Sequence, residues 1–381
     1  MHVLELKNII LMKNINLANL AFIIFSSLFT FSFISETLAT GNKNKNSDKS
    51  LVLKEITINE FYSDNFMVGN AEDKQAGTGC TVFIFKKGAP VGQSVRGGGP
   101  ASRESELLKP LANAGIIHAI LLSGGSAFGL DAAGGVMKYL EERNLGYDVG
   151  VTKVPLVAQS CLFDLTVADA FKRPDQAMAY NACLGAEKYN FKEGNFGAGT
   201  GATVGKLLGM DYCMKTGIGY YGIKLGNLTV GAIVALNSLG DIFDWKTGEK
   251  IAGLLDENKK NFRSSDEELF KSFAEVGNRF VENTAIAVVF TNAEFDKTKL
   301  CKIAEMAHNG YARSIRPVHT SADGDTIYAV SIGNIKADID VVGTLASRVI
   351  SEAIISAVNK AESDYGYPAA KDLNKYDIYN N

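Results

Sequence analysis

The chain has 381 residues, 46% of them hydrophobic, with 39 Lys and Arg against 42 Asp and Glu. That is enough apolar material for one large domain or two smaller ones. The net charge of −3, without a basic stripe or a long charge run, argues against nucleic acid as a partner.

Lys7 and Lys13 precede an apolar run from Leu17 to Ile34, and a polar stretch from Ser35 to Ser50 follows. A basic start, an apolar middle and small residues near Ala39 read as a secretory signal peptide over residues 1–39. The run is also long enough for an uncleaved membrane anchor. Residues 40–50, rich in Asn and Lys, read as a solvated linker. The expectation is an exported protein, periplasmic or extracellular, with residues 51–381 as a single domain.

The cysteines, Cys80, Cys161, Cys183, Cys213 and Cys301, show no Cys-x-x-Cys spacing and sit in apolar or Gly-rich surroundings. They read as small buried hydrophobes. The histidines, His2, His118, His308 and His319, form no zinc-binding pattern, and no metal or organic cofactor is implied.

In chain order, Leu51 to Asn59 and Thr78 to Phe85 read as strands. Lys86 to Ala89 reads as a turn, after which Pro90 to Val95 pairs back as a hairpin. Arg96-Gly97-Gly98-Gly99-Pro100 is a loop, and Ala101 to Leu111 a short helix or loop. Ile116 to Leu122 is a central strand running into Ser123-Gly124-Gly125-Ser126, and from Gly129 to Arg143 the apolar spacing is helical. Val149 to Val157 is a strand, with Pro155 placing it at an edge or an end. Asp175 to Tyr189 is an Ala-rich helix behind Pro174.

The segment Gly194 to Lys206 carries G-x-G-x-x-A at Gly197, Gly199 and Ala202, and nearly matches a phosphate loop. No strong strand precedes it. Thr200 stands where the phosphate loop's first Gly belongs, and Leu207 follows Lys206 in place of Ser or Thr. Both matches read as decoys.

Thr216 to Lys224 and Asn227 to Leu236 form a meander, and Asp256 to Asp266 is a charged surface loop. Thr284 to Phe290 and Thr326 to Ile332 are strands, and Lys297 to Asn309 is a helix. Asp338 to Ser363 is a long helix with Val341, Leu345, Val349, Ala353 and Val358 inward. Asn283-Thr284 is a polar pair set against a β-branched run. In one reading it is a turn entering a strand. In the other, a chain break before Thr284 would leave a free α-amine, titrating near about 7.7–8, beside the residue's own hydroxyl. That is a nucleophile and its base in one residue.

Four segments taken together resemble one family. They are Arg96 to Pro100, Leu122 to Leu130, Gly197 to Lys206 and Glu282-Asn283-Thr284, in that order. The family is the DmpA-type self-processing L-aminopeptidase/D-esterase family, which includes β-peptidyl aminopeptidases and nylon-oligomer endohydrolases. The resemblance runs from about Gly69 to about Ala361. It implies an α/β fold, an αββα four-layer sandwich like that of the N-terminal nucleophile hydrolases but wired differently. It implies self-cleavage between Asn283 and Thr284 into a large and a small chain that stay associated. Thr284 would then be the catalytic nucleophile, forming an acyl-enzyme on a small peptide, amide or ester substrate. A homo-oligomer of processed heterodimers is also implied.

The family's other site residues carry over one at a time. Asn237 matches its oxyanion-side Asn. Lys206 matches the Lys of the endohydrolase branch, with a solvated surface Lys as the alternative. Asp323 and Asp325 match an acidic pair near the nucleophile, able to hold the Thr hydroxyl or the new ammonium; a plain turn is the alternative. Gly98, Gly125, Ser126 and Phe163 are candidates for substrate binding. Phe163 stands where the family often has a Tyr whose hydroxyl donates in the site. Competing readings are an amide-oligomer endohydrolase, an ornithine-acetyltransferase-like acyltransferase, and a binding protein of the same fold with impaired chemistry.

Overall fold

Period-2 alternation builds the centre of the molecule. Along the strand Ile286–Ala293, residues Ile286, Val288 and Phe290 face one apolar cluster, and Ala287, Val289 and Ala293 face another. A strand that is apolar on both faces needs cover on both. The computed structural model, which describes residues 52–273 and 283–373, supplies that cover in four layers.

The strand lies inside a six-stranded sheet. Its order is Leu53–Glu55, Ile218–Leu225, Leu228–Ala235, Ile286–Ala293, Thr326–Ile335 and Val91–Val95. Only Ile286–Ala293 and Thr326–Ile335 run parallel. A five-stranded sheet packs on its inner face, in the order Phe66–Asp73, Thr78–Ala89, Ile117–Ser123, Val157–Cys161, Ala101–Arg103. Phe83, Phe85, Ile120 and Leu122 meet Ile233, Ile286, Val288 and Phe290 between the sheets. Helices Lys297–Ser314 and Ile339–Lys360 cover the outer face of the larger sheet. Helices Ala133–Glu141 and Gln176–Ala186 cover that of the smaller. This is the expected αββα sandwich. Ile339–Lys360 is long and apolar enough to cross a membrane by length and composition, yet its apolar residues pack on three strands of the sheet and on Lys297–Ser314.

Several local expectations are corrected. Pro90 does not turn the chain back on itself. Thr78–Ala89 runs on as one strand, and Val91–Val95 crosses to the other sheet, where it pairs antiparallel with Thr326–Ile335. Proline's missing N–H ends one ladder, and the true partner lies more than 200 residues away, out of reach of any local pattern. Pro155 likewise splits the expected Val149–Val157 strand. Tyr147–Asp148 and Lys153–Val154 form a small ribbon, and the sheet strand is Val157–Cys161. Ala101–Arg103 is an edge strand and not the start of a helix. Val341 is 41% exposed, and its neighbour Val342 takes the buried position. The strand after Asn283 begins at Ile286, so Thr284 stands at its mouth. The expectations for residues 1–50, and the segment leading up to Asn283, lie outside the described residues.

Candidate active site

One end of the six-stranded sheet gathers the motifs. Ala235 pairs antiparallel with Ile286, which brings Asn237 opposite Thr284, and the Thr284 N–H donates to Asn237 O at 2.8 Å. Ile286 pairs in parallel with Thr326, so Asp323-Gly324-Asp325 lies beside Asn283-Thr284, with a bridge between Asn283 and Asp323. Val95 pairs with Thr326, and this lays Arg96 to Pro100 against the same turn. Arg96 N–H donates to Asp325 O at 3.0 Å and Gly99 N–H to Asp323 O at 2.8 Å. The approach is so close that a Cβ on Gly97 would stand 2.1 Å from Asp323 O, which explains a glycine there. From the other sheet, Ser123 pairs with Cys161, so Gly124-Gly125 and Phe163-Asp164 emerge side by side. Asn237 Nδ2 donates to Phe163 O at 2.9 Å and ties the ends of the two sheets together.

Thr284 is buried, and its hydroxyl donates to Asn283 O at 2.5 Å. The Gly324 N–H donates to the same oxygen at 2.8 Å. The carbonyl preceding Thr284 therefore accepts two hydrogen bonds, which polarise it.

Lys206 is 2% exposed, which removes the solvated-surface alternative. Its Nζ donates to Asn237 Oδ1 at 2.8 Å and lies 3.4 Å from Asn237 O. Thr203 N–H donates to the same Oδ1 at 3.1 Å. The Gly-rich segment leads into the short strand Thr203–Val204 and not into a helix. It therefore has no helix N-terminus to offer a phosphate, and what it delivers is a buried lysine. Burial pulls Lys206 down to about 8, against the opposing pull of Cys213, Asp323 and Asp164. Burial, reinforced by the neighbouring Asp325, pushes Asp323 well above the usual carboxylate range.

The acidic pair divides its work. Asp323 Oδ2 accepts the Thr320 N–H at 2.7 Å. Asp325 Oδ1 accepts the Ala285 N–H at 2.9 Å, so its carboxylate grips the peptide after Thr284, while the Thr284 hydroxyl is engaged with Asn283 O. Among the substrate candidates, Phe163 offers Asn237 its main-chain carbonyl, and its ring is half-buried. Gly98 is exposed beside the Thr320–Asp323 turn. Gly125 is buried and donates to Asp164 Oδ1 at 2.7 Å, and Ser126 is half-buried.

Three polar residues escape the sequence reading, two of them buried and His319 half-buried. Asp164 accepts from Thr78 Oγ1 at 2.6 Å and from Gly125 N–H, and burial pushes it up to about 6. An acid inside the apolar run Cys161 to Leu165 is the signal that could have found it. His319 bonds Asp325, with no signal in its spacing. Lys215 is fully buried. Its Nζ donates to Gly199 O at 3.2 Å, Ala202 O at 3.1 Å and Thr216 O at 2.5 Å, which pins the Gly-rich segment.

Lys215 gives a pH-dependent stability. Burial lowers it to about 7 in the fold, against about 10.4 in an unfolded chain. Between those values the unfolded chain binds the extra proton, so this residue's contribution to stability rises with pH from about 7 upward. The stability advantage of the natural chain over Lys215→Met is expected to widen between pH 6.5 and pH 9 in urea titrations. An advantage that is the same at both pH values would sink the assignment.

Comparison with known proteins places this chain in a family. The model of Peptidase family S58 matches residues 64–370. An uncharacterized aminopeptidase of Mycobacterium leprae (strain TN) is 36% identical over 315 residues, 76% of this chain and 84% of that protein. A 6-aminohexanoate-oligomer endohydrolase of Agromyces sp. (strain KY5R) is 30% identical over 305 residues, 76% of this chain and 83% of that protein. In fold, the chain resembles the L-aminopeptidase D-Ala-esterase/amidase of Ochrobactrum anthropi, a variant of the Ntn hydrolase fold. The TM-score is 0.60 over 82% of this chain and 90% of that one, at 16% identity. A β-aminopeptidase of Burkholderia sp. gives a TM-score of 0.58 over the same shares, at 18% identity. The chain belongs to peptidase family S58, and its fold is like that of the Ochrobactrum variant of the Ntn hydrolase fold.

Proposed function

We propose that the protein is a self-processing aminopeptidase or amidase in which Thr284 is the nucleophile, first on its own chain and then on substrate. The observation that carries this reading is the pair of hydrogen bonds on Asn283 O, from Thr284 Oγ1 and from Gly324 N–H. In processing, Thr284 Oγ1 attacks the Asn283 carbonyl carbon, and Gly324 N–H stabilises the oxyanion. The C–N bond breaks, the hydroxyl proton passes to the departing nitrogen, and an ester forms that water hydrolyses. The freed α-amine starts from a place beside Asn237 O, where the Thr284 N–H now sits. In turnover that amine takes the hydroxyl proton as Oγ1 attacks a substrate amide or ester, and the acyl-enzyme is then hydrolysed. Asn237, held by Lys206, Thr203 and Phe163, and the Lys206 ammonium are the donors assigned to the substrate oxyanion. The Phe163 main-chain contact does not depend on a hydroxyl at that position.

Folded protein run on a denaturing gel is expected to give two fragments, the smaller one starting at Thr284 by N-terminal sequencing. One intact band from folded, active protein would refute the proposal.

A second reading, endo-acting hydrolysis of amide oligomers, draws on the buried Lys206 and on the endohydrolase relative. Assays on D- and β-amino acid amides, dipeptides and 6-aminohexanoate oligomers separate the two. Export through residues 1–39, and assembly of processed heterodimers into an oligomer, complete the proposal. N-terminal sequencing of the large fragment and light scattering test them.

A further inference from the structure

We infer that His319 is a positioning residue for this chemistry, acting through Asp325 on the peptide that follows Thr284. The inference rests on the proposed role of Thr284. Cleavage before Thr284 would remove its covalent anchor on one side. What then holds it are the Thr284 nitrogen near Asn237 O and the Ala285 peptide, whose N–H goes to Asp325 Oδ1 at 2.9 Å and whose carbonyl accepts Thr326 N–H at 3.2 Å. Asp325 is therefore the anchor one residue inside the new terminus. Its other oxygen is held twice by His319, by the main-chain N–H at 3.1 Å and by Nδ1 at 2.9 Å. A carboxylate only accepts, so Nδ1 carries the proton and donates.

The ring is fixed from behind. His308 meets it edge-on with centroids 4.8 Å apart, and Tyr311 lies 6.0 Å away. His308 is itself turned by its Nε2 bond to Ser94 O at 3.1 Å. The His319 main chain has a φ of 59°, a conformation that glycine adopts freely and asparagine tolerates. This choice of backbone makes a clean experiment possible, because His319→Gly removes the side chain without strain and His319→Asn keeps a donor near the Nδ1 position.

The test follows self-cleavage of freshly synthesised full-length chain by gel, then kcat and KM of the processed protein on L-alanine p-nitroanilide, beside the melting midpoint. For His319→Gly, self-cleavage and kcat are expected to fall about ten- to a hundredfold, the scale of a small misplacement of a reacting group, with KM within about twofold. His319→Asn should restore most of the rate. A His319→Gly chain cleaving at the natural rate, or His319→Asn as slow as His319→Gly, would overturn the inference. If His319→Gly does not fold, His319→Asn against His319→Asp decides, since Asp has the same shape but no donor. Equal rates for that pair would overturn it. Thr284→Ala run in parallel separates the two levels, because cleavage in that variant refutes the role of Thr284, whereas its absence leaves His319 to be judged alone.

Discussion

Thr284→Ala is expected to leave the chain in one piece and to abolish hydrolysis. The substitution removes the hydroxyl that donates to the Asn283 carbonyl, and with it the proposed nucleophile of both reactions. Acyl-transfer enzymes that lose their nucleophile fall by about a millionfold in kcat. The stability cost is small by comparison. Thr284 stands outside the strand proper, and the Thr284 N–H bond to Asn237 O is main-chain and survives the change. A loss of about 1 kcal/mol is the ordinary scale for such a truncation. Activity and folding should therefore separate cleanly: an intact band, a normal melting curve and no turnover. Thr284→Ser keeps the hydroxyl and should still process. Fragments beginning at Ala in the Thr284→Ala chain would refute the assignment, because no side-chain nucleophile would be left at that position.

Much of this cluster is legible in the sequence, for a physical reason. The strands carry period-2 apolar patterns, and the motifs sit at their ends, so correct strand assignments already predict polar residues clustered at one edge. Asn237, Thr284 and Asp323 to Asp325 are each found within a few residues of a strand end. What could not be read was pairing. Val91–Val95 carries an ordinary strand pattern, and nothing local says that its partner is Thr326–Ile335 in the other sheet. Burial of ions is hidden at Lys215 and signalled at Asp164 only by the apolar run around it. Lys215 and Asp164 look like surface residues by type, and only the carbonyls around one and the donors around the other make burial tolerable. His319 was missed because its partner is chosen by a turn geometry, not by a spacing.

Gly324→Ala should slow self-processing by about a hundredfold although the Thr284 hydroxyl is still present. A Cβ at this position would lie 2.7 Å from Thr284 Oγ1, 3.1 Å from Gly99 O and 3.2 Å from the Pro100 Cα. The first contact is shorter than real carbon atoms accept, so either the hydroxyl rotates away or the Asp323–Asp325 turn backs off. Either response is damaging. Rotation breaks the Thr284 Oγ1 bond to Asn283 O, and retreat lengthens the Gly324 N–H bond to that same oxygen. Loss of one oxyanion donor costs about 10²–10³ in rate in related chemistry. The extra methyl costs about 1–3 kcal/mol of stability as overpacking, which a domain of this size can absorb. Gly97→Ala is the informative contrast. Its Cβ would strike the main-chain oxygen of Asp323, which cannot rotate aside, so that change should damage folding as well as processing. A time course of the intact band for Gly324→Ala that matches the natural chain would mean that Gly324 does not face the reacting carbonyl during cleavage. Slow processing with a preserved fold would instead tie the rate to where the hydroxyl and the donor sit, and not merely to the presence of a threonine.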